Sequence, residues 1–494
     1  MIAFAFSLYS CSAPSEETIP SEETIPSEET VSTEASSTPD DNMFYQVPTP
    51  NELFAVLKNS KVSYNRENLN DVSNASKYET KASKALNFGI YTADLAYVTS
   101  LGQMDDAASF FETVRGLSKD LEIENAVDEV ILKRLQTNLE NSNPDSLFYL
   151  SNETYYNAYS YLEENDRRDV LGMIVVGGWI EGLNKMDMNW VSSTHSKGVF
   201  ENFSQEVKHP QTKQIVGTLK LQKPIHTIFE GVNLDVYKYL EPKKVKLNLD
   251  KIKESFCFLF VGHWMQGDFG HDRKNVGVTV RYFFEAFKNT KSPPALILKA
   301  STGRNSYMGR ELLLEKISTI KKSFPEKDVL PNVYLFNGNL SDIQMNELYN
   351  HPKVKAMVSL TKGEGYGRPL AEFCLSKKPL IVTGWSGHMD FIDPKSSTVI
   401  PGNLEKIHPS AVNKWLLEHT SWFQASTKHA IDAYKDLKKN YKKYIVSGKK
   451  QGFKIKSEFN YESMKELISK KLELVPEAPK QIKLNLPKMS IPKL

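Results

Sequence analysis

Beyond Asp250 the chain alternates short apolar runs with amphipathic stretches, and this rhythm constrains its fold more than any other feature. The runs at 256–261, 295–299, 333–336, 356–360 and 379–382 have the length and composition of buried strands. Between them, 276–288, 310–324, 343–349 and 370–375 read as helices, and further helices are expected at 411–417, 427–444 and 461–472. Such alternation predicts an α/β domain with a Rossmann-like parallel sheet, covered on both faces by right-handed crossovers. Ligands of these sheets bind beyond the carboxyl ends of the strands. Gly262, Lys299, Gly338 and Glu364 all fall at or just past such ends.

The most specific stretch follows the fourth run: Gly363-Glu364-Gly365-Tyr366-Gly367-Arg368-Pro369-Leu370-Ala371-Glu372. Its glycines permit a tight turn and a close approach of ligand to main-chain N–H groups. Pro369 suits a first helical turn, where its missing N–H costs nothing. A strand, a Gly-rich turn and a helix start favour anionic groups, whereas Glu364 and Glu372 suit hydroxyls. Together they predict a site for a sugar nucleotide. Two carboxylates also serve glycoside hydrolases, but these two flank a phosphate-type turn, which fits donor binding better. The Gly-Lys-Ser/Thr of a P-loop is absent from the turn.

This stretch resembles the Glu-x7-Glu motif of retaining glycosyltransferases with the GT-B fold, the large family that includes glycogen and sucrose synthases. Trp385-Ser386-Gly387-His388-Met389-Asp390-Phe391, Lys362-Gly363-Glu364-Gly365 and Arg273-Lys274-Asn275 are similar to the forms found in tailed phages and marine bacteria. The resemblance covers roughly 186–494, and its specific motifs lie between Gly262 and Phe391. It implies transfer of a sugar, with retention of configuration, from a nucleotide-sugar donor to a carbohydrate or glycoconjugate acceptor. It implies no metal, no other cofactor and no nucleic acid. Arg273 and Lys274 would grip the donor diphosphate, with His263 standing where the family places an Arg. Glu364 would hold hydroxyls of the transferred sugar and Glu372 those of the ribose. Gly262, Gly338 and Asn339 would line the nucleotide, and Gly365, Tyr366 and Gly367 would offer main-chain N–H groups. Lys299 falls at the cleft. His388 either faces the cleft or is a hydrogen-bonded loop histidine.

The N-terminal third reads differently. Ile2-Ala3-Phe4-Ala5-Phe6-Ser7-Leu8 followed by Tyr9-Ser10-Cys11-Ser12 resembles a bacterial lipobox, with Cys11 as the lipidated residue, although no Lys or Arg precedes the apolar run. The repeated Pro-Ser-Glu-Glu-Thr-Ile that follows cannot bury a core and reads as a disordered tether. Next come helical patterns, including the face formed by Val127, Ile131, Leu135 and Leu139. The 3 cysteines have unrelated spacings, which excludes a disulfide framework or a zinc cluster. A net charge of +2 on 494 residues selects no polyanionic partner.

These readings divide the chain into a lipobox-like start and tether (1–42), an all-α lipoprotein-like domain (43–185), the end of a GT-B N-terminal domain (186–240), a GT-B donor-binding domain (241–475) and an irregular tail (476–494). Sugar nucleotides place the transferase part in the cytoplasm, whereas lipidation at Cys11 implies export and membrane anchoring. A recent gene fusion or an assembly join near Leu183 reconciles the halves. The alternative is a non-catalytic, membrane-anchored lipoprotein carrying an inert nucleotide-sugar-binding remnant.

Overall fold

The computed structural model describes residues 2–5 and 64–123, single positions between 133 and 162, and 164–474 apart from 166, 187, 209–214, 266, 304–305, 413–415 and 417–419. The tether with Cys11, the face read on Val127, Ile131, Leu135 and Leu139, and the tail 476–494 lie outside the described residues.

The first part is built on a small parallel sheet. Strand β1 (Ile2–Ala5) comes from the run that reads as an apolar leader. The helices are α1 (Lys81–Ser100), α2 (Met104–Asp120) and α3 (Arg168–Asn184). Strand β2 (Met188–Val191), helix α4 (Thr194–Asn202), an antiparallel pair β3 (Ser204–Lys208) and β4 (Ile215–Lys220), and strand β5 (Ile225–Thr227) follow. Strand β2 lies between β1 and β5, parallel to both.

Helices α1 and α3 cross at glycines. A Cβ on Gly89 would sit 2.0 Å from the Ile174 carbonyl oxygen, and one on Gly177 2.0 Å from that of Leu86. One hydrophobic core joins Phe88, Tyr91, Ile174 and Leu183 to Val191 and Ile225. The junction read near Leu183 therefore runs through a continuous core. Just past it, Lys185 Nζ lies buried 2.5 Å from Asp94 and 2.6 Å from Glu181.

The second part confirms the α/β expectation. Its strands are β6 (Cys257–His263), β7 (Ala295–Ser301), β8 (Val333–Phe336), β9 (Val354–Ser359), β10 (Leu380–Thr383) and β11 (Thr398–Ile400). They form one sheet in the order β11-β10-β9-β6-β7-β8, with every pairing parallel. The helices are α5 (Val276–Phe287), α6 (Tyr307–Lys322), α7 (Asp342–Asn350) and α8 (Arg368–Cys374).

Successive strand residues point to opposite faces, and here both faces are covered. Phe258 and Phe260 pack with Phe283, Leu298 and Val358 on one side. Cys257 and Leu259 pack with Ile297, Met357 and Phe373 on the other. This is why the strands read as continuous apolar runs rather than alternating ones.

Two local expectations change. A hairpin, β12 (Gly402–Lys406) with β13 (Ser421–Ala425), flanks the region read as a helix at 411–417, and among the described residues there the helical ones are a single turn at Pro409–Ala411. The helix read at 427–444 breaks at Asn440 into α9 (Thr427–Lys439) and α10 (Tyr441–Glu458). Helix α10 lies flat on the domain because Gly448 and Gly452 are bare there; a Cβ on Gly452 would come 2.4 Å from the Cys374 carbonyl oxygen. Last, α11 (Tyr461–Leu472) returns to the first part, where Met464, Leu467 and Ile468 cover Met188, Trp190 and Ile228.

Candidate functional site

The sheet order fixes where a crevice must lie. From β6 the chain winds outward through β7 and β8, then returns to β9 on the other side of β6 and winds the opposite way. The connections after β6 and β9 therefore diverge at their carboxyl ends, which is where open α/β sheets bind ligands. Arg273 and Lys274 follow β6, and Glu364 follows β9.

The structure brings these three residues together. Lys274 Nζ lies 2.5 Å from Glu364 Oε1, and Arg273 Nη1 lies 3.4 Å from Glu364 Oε2. Arg273 Nη1 also donates to the Gly363 carbonyl at 2.5 Å, and the Lys362 amide donates to the Arg273 carbonyl at 2.8 Å. All three charged residues are buried. Burial pushes the Glu364 carboxyl up, but the charges of Lys274 and Arg273 outweigh it and hold the group at about 2. The carboxylate is thus ionised at any physiological pH and the cluster carries a net positive charge.

His263, at the end of β6, is not a third cation. Its Nδ1 lies 2.7 Å from Ser301 Oγ. Burial, and then the charges of Lys274, Arg273 and Lys299, push it down to about 4. Lys299 itself reaches the Gly338 carbonyl at 2.7 Å. Gly338 has φ 122° and open space where a Cβ would be, so the backbone itself walls this edge. Asn339 beside it is exposed.

Glu372 belongs to a neighbouring group. Its Oε1 accepts from Arg368 Nε at 2.9 Å and its Oε2 from the Tyr349 hydroxyl at 3.3 Å. Burial raises its carboxyl to about 7 against the pull of Arg368. The two carboxylates of the motif thus sit in unlike surroundings. One is held charged by two cations, and the other is poised near neutrality.

The turn between them is braced from outside. Gly367 takes φ 97° at the start of α8. The Gly387 amide donates to the Glu364 carbonyl at 2.9 Å, and the Glu364 amide to Ser386 Oγ at 2.9 Å. Ser386 has φ 84° and ψ −168°, a conformation that is costly for a residue with a Cβ and that gathers at functional sites. A Cβ on Gly387 would meet the Gly365 carbonyl oxygen at 1.9 Å. The Tyr366 ring is fully buried against Phe391, at 5.0 Å between centroids.

His388 is the hydrogen-bonded loop histidine of the two readings: it is fully buried and its Nε2 donates to the Thr383 carbonyl at 2.6 Å. The first part of the chain reaches this loop through the start of α4. The Thr194 amide and hydroxyl both donate to Asp390, and His195 packs edge-on to Trp385 at 4.6 Å.

Sequence reasoning missed Ser386, Tyr349, Ser301 and the α4 contact, because each depends on a long-range approach. Arg368 was findable, since it stands four residues before Glu372 on one helix face. Asn275 was quoted but given no role. It is buried with φ 55°, and both its side-chain polar atoms lack partners among the described residues.

No family model and no curated protein matches the chain. Solved structures do. A sucrose-phosphate synthase from Thermosynechococcus elongatus aligns at 14% identity and TM-score 0.42, over 62% of this chain and 61% of that one. HepE from Anabaena, in complex with UDP and glucose, aligns at 12% identity and TM-score 0.42, over 70% of this chain and 82% of that one. The C-terminal domain of a group 1 glycosyl transferase from Francisella tularensis aligns at 12% identity and TM-score 0.34, over 47% of this chain and all of that one. The chain thus spans less than two thirds of the synthase's length.

Proposed function

We propose that the crevice between the carboxyl ends of β6 and β9 binds a nucleotide-diphosphate sugar, and that the protein transfers the sugar with retention of configuration. The observation that carries this reading is the buried Arg273–Lys274–Glu364 cluster at the point where the winding of the sheet reverses. Arg273 and Lys274 hold the donor diphosphate. When the anomeric carbon–oxygen bond breaks, its electron pair moves onto the leaving β-phosphate, and fixed cations lower the cost of that charge. The acceptor hydroxyl then bonds to the anomeric carbon on the face the phosphate leaves, and its proton passes to the departing β-phosphate oxygen.

Glu364, kept ionised, accepts from hydroxyls of the sugar, and Glu372 accepts from the ribose. Each bond of a hydroxyl to the buried, charged Glu364 contributes about 1.5–3 kcal/mol. The acceptor enters from the side of the first part, whose α4 start already touches the 385–390 loop. A cytoplasmic location accompanies this reading, because donors of this class are made there.

The test is to incubate the full chain with UDP- and GDP-sugars and follow the anomeric signal and nucleoside diphosphate release by NMR. Release at wild-type rate by a Lys274→Ala variant would refute the assignment. Binding without any release or transfer would favour the inert-remnant alternative.

A further inference from the structure

Helix α10 has two unlike sides. Toward the domain it presents Gly448, Gln451, Gly452 and Ile455, all buried. The opposite side is centred on Val446, Lys450 and Phe453, with Lys442 and Lys449 along one flank and Lys443 along the other. Phe453 is 72% exposed and Val446 54% exposed. Single exposed apolar residues need no explanation, but these two lie two turns apart on one line, set among lysines.

The charge around them is one-sided. Residues 427–458 hold ten lysines and three acidic residues, while the whole chain has a net charge of only +2. Among the described residues no carboxylate pairs with Lys442, Lys443, Lys449, Lys450 or Lys456.

We propose that this face of α10 docks on an anionic lipid bilayer. Exposed lysines meet the headgroup charge, and Phe453 and Val446 enter the boundary between headgroups and acyl chains. This is the pattern of a helix that lies in the plane of an interface. The occupant follows from complementarity in both charge and polarity. A nucleic acid would take the lysines but leave Val446 without a partner, and the chain has no arginine after Arg368 to read phosphates or base edges bidentately. The proposal does not depend on the reading of the crevice, because α10 packs on the domain through the opposite side.

The experiment is co-sedimentation of the full-length protein with phosphatidylcholine vesicles, pure or with roughly one third phosphatidylglycerol. Binding is expected only to the anionic vesicles and should weaken as salt rises. Lys449→Glu/Lys450→Glu should lower the partition coefficient at least tenfold. Phe453→Ser should lower it several-fold with the salt slope unchanged, since it removes insertion and no charge. Circular dichroism and urea midpoints equal to wild type show that both variants fold; Val446→Ser serves as a second probe of insertion.

Equal binding to both vesicle types would overturn the proposal. So would loss on charge reversal with no effect of either Phe453→Ser or Val446→Ser. That second result, with equal retention on duplex RNA, would identify a polyanion surface instead.

Discussion

Replacing Glu364 by Gln removes one negative charge from between two buried cations and changes almost nothing in shape. A carboxyl held at about 2 against an ordinary 4.5 has its charged form stabilised by about 3 kcal/mol. Breaking one side of a buried ion pair typically costs about 3–5 kcal/mol, which agrees. The variant should therefore lose about 3 kcal/mol at neutral pH, read as a lower urea midpoint with an unchanged slope. Trp385 provides the fluorescence signal, since its ring packs against Gly363.

The sign of the pH dependence follows from the depressed value. The contribution of Glu364 is complete above its unfolded value of 4.5 and disappears as acid protonates it through about 2. Wild type and variant should therefore converge in acid. Equal stability at neutral pH, or a difference that persists unchanged in acid, would refute the electrostatic account. The same variant should also bind a nucleoside diphosphate lacking sugar more tightly than wild type, because Arg273 and Lys274 no longer share their charge with a carboxylate.

Glu372 should behave oppositely. Its value is raised to about 7, so stability is highest below its unfolded value and falls as pH rises toward 7. Glu372→Gln should then gain on wild type in alkaline urea titrations, and a loss there would show the Arg368 pair to outweigh burial. Asn275 separates backbone from side chain. With φ 55°, Asn275→Gly should retain stability within a few tenths of a kcal/mol, while Asn275→Ala should lose about 1 kcal/mol; an equal loss in both variants on thermal unfolding would show that the amide matters more than the backbone. Gly89→Ala places a methyl 2.0 Å from the Ile174 carbonyl oxygen, so calorimetry should show the helical part destabilised by about 1–3 kcal/mol. An unchanged transition would mean that α1 and α3 do not cross as described.

The α/β class was readable because strands buried on both faces leave continuous apolar runs, as Cys257 to Phe260 do. Glu364 and Lys274 were readable because each stands just past such a run. Their mutual contact was not written locally. It arises from β9 lying beside β6, a pairing across about a hundred residues that no window of sequence records. The break at Asn440 was hidden because Lys438, Lys439, Lys442 and Lys443 favour a helix on both sides of it. The β12–β13 hairpin was missed for another reason. Its strands are short, Leu404, Glu405 and Lys406 of β12 are exposed on both sides, and β13 offers only the apolar pair Trp422-Phe423, so no apolar run marks it. His388 stood open because a histidine after a strand suits either role until the Thr383 carbonyl is seen beside it.

Isothermal titration of UDP- and GDP-sugars into the wild-type chain and into Lys274→Ala tests the central claim most directly. The account predicts a single site on wild type whose affinity falls at least tenfold without the Lys274 ammonium, with a matching fall for Glu372→Ala. Donor binding of the same strength in wild type, Lys274→Ala and Glu372→Ala would contradict it, and would move the site away from the carboxyl ends of β6 and β9.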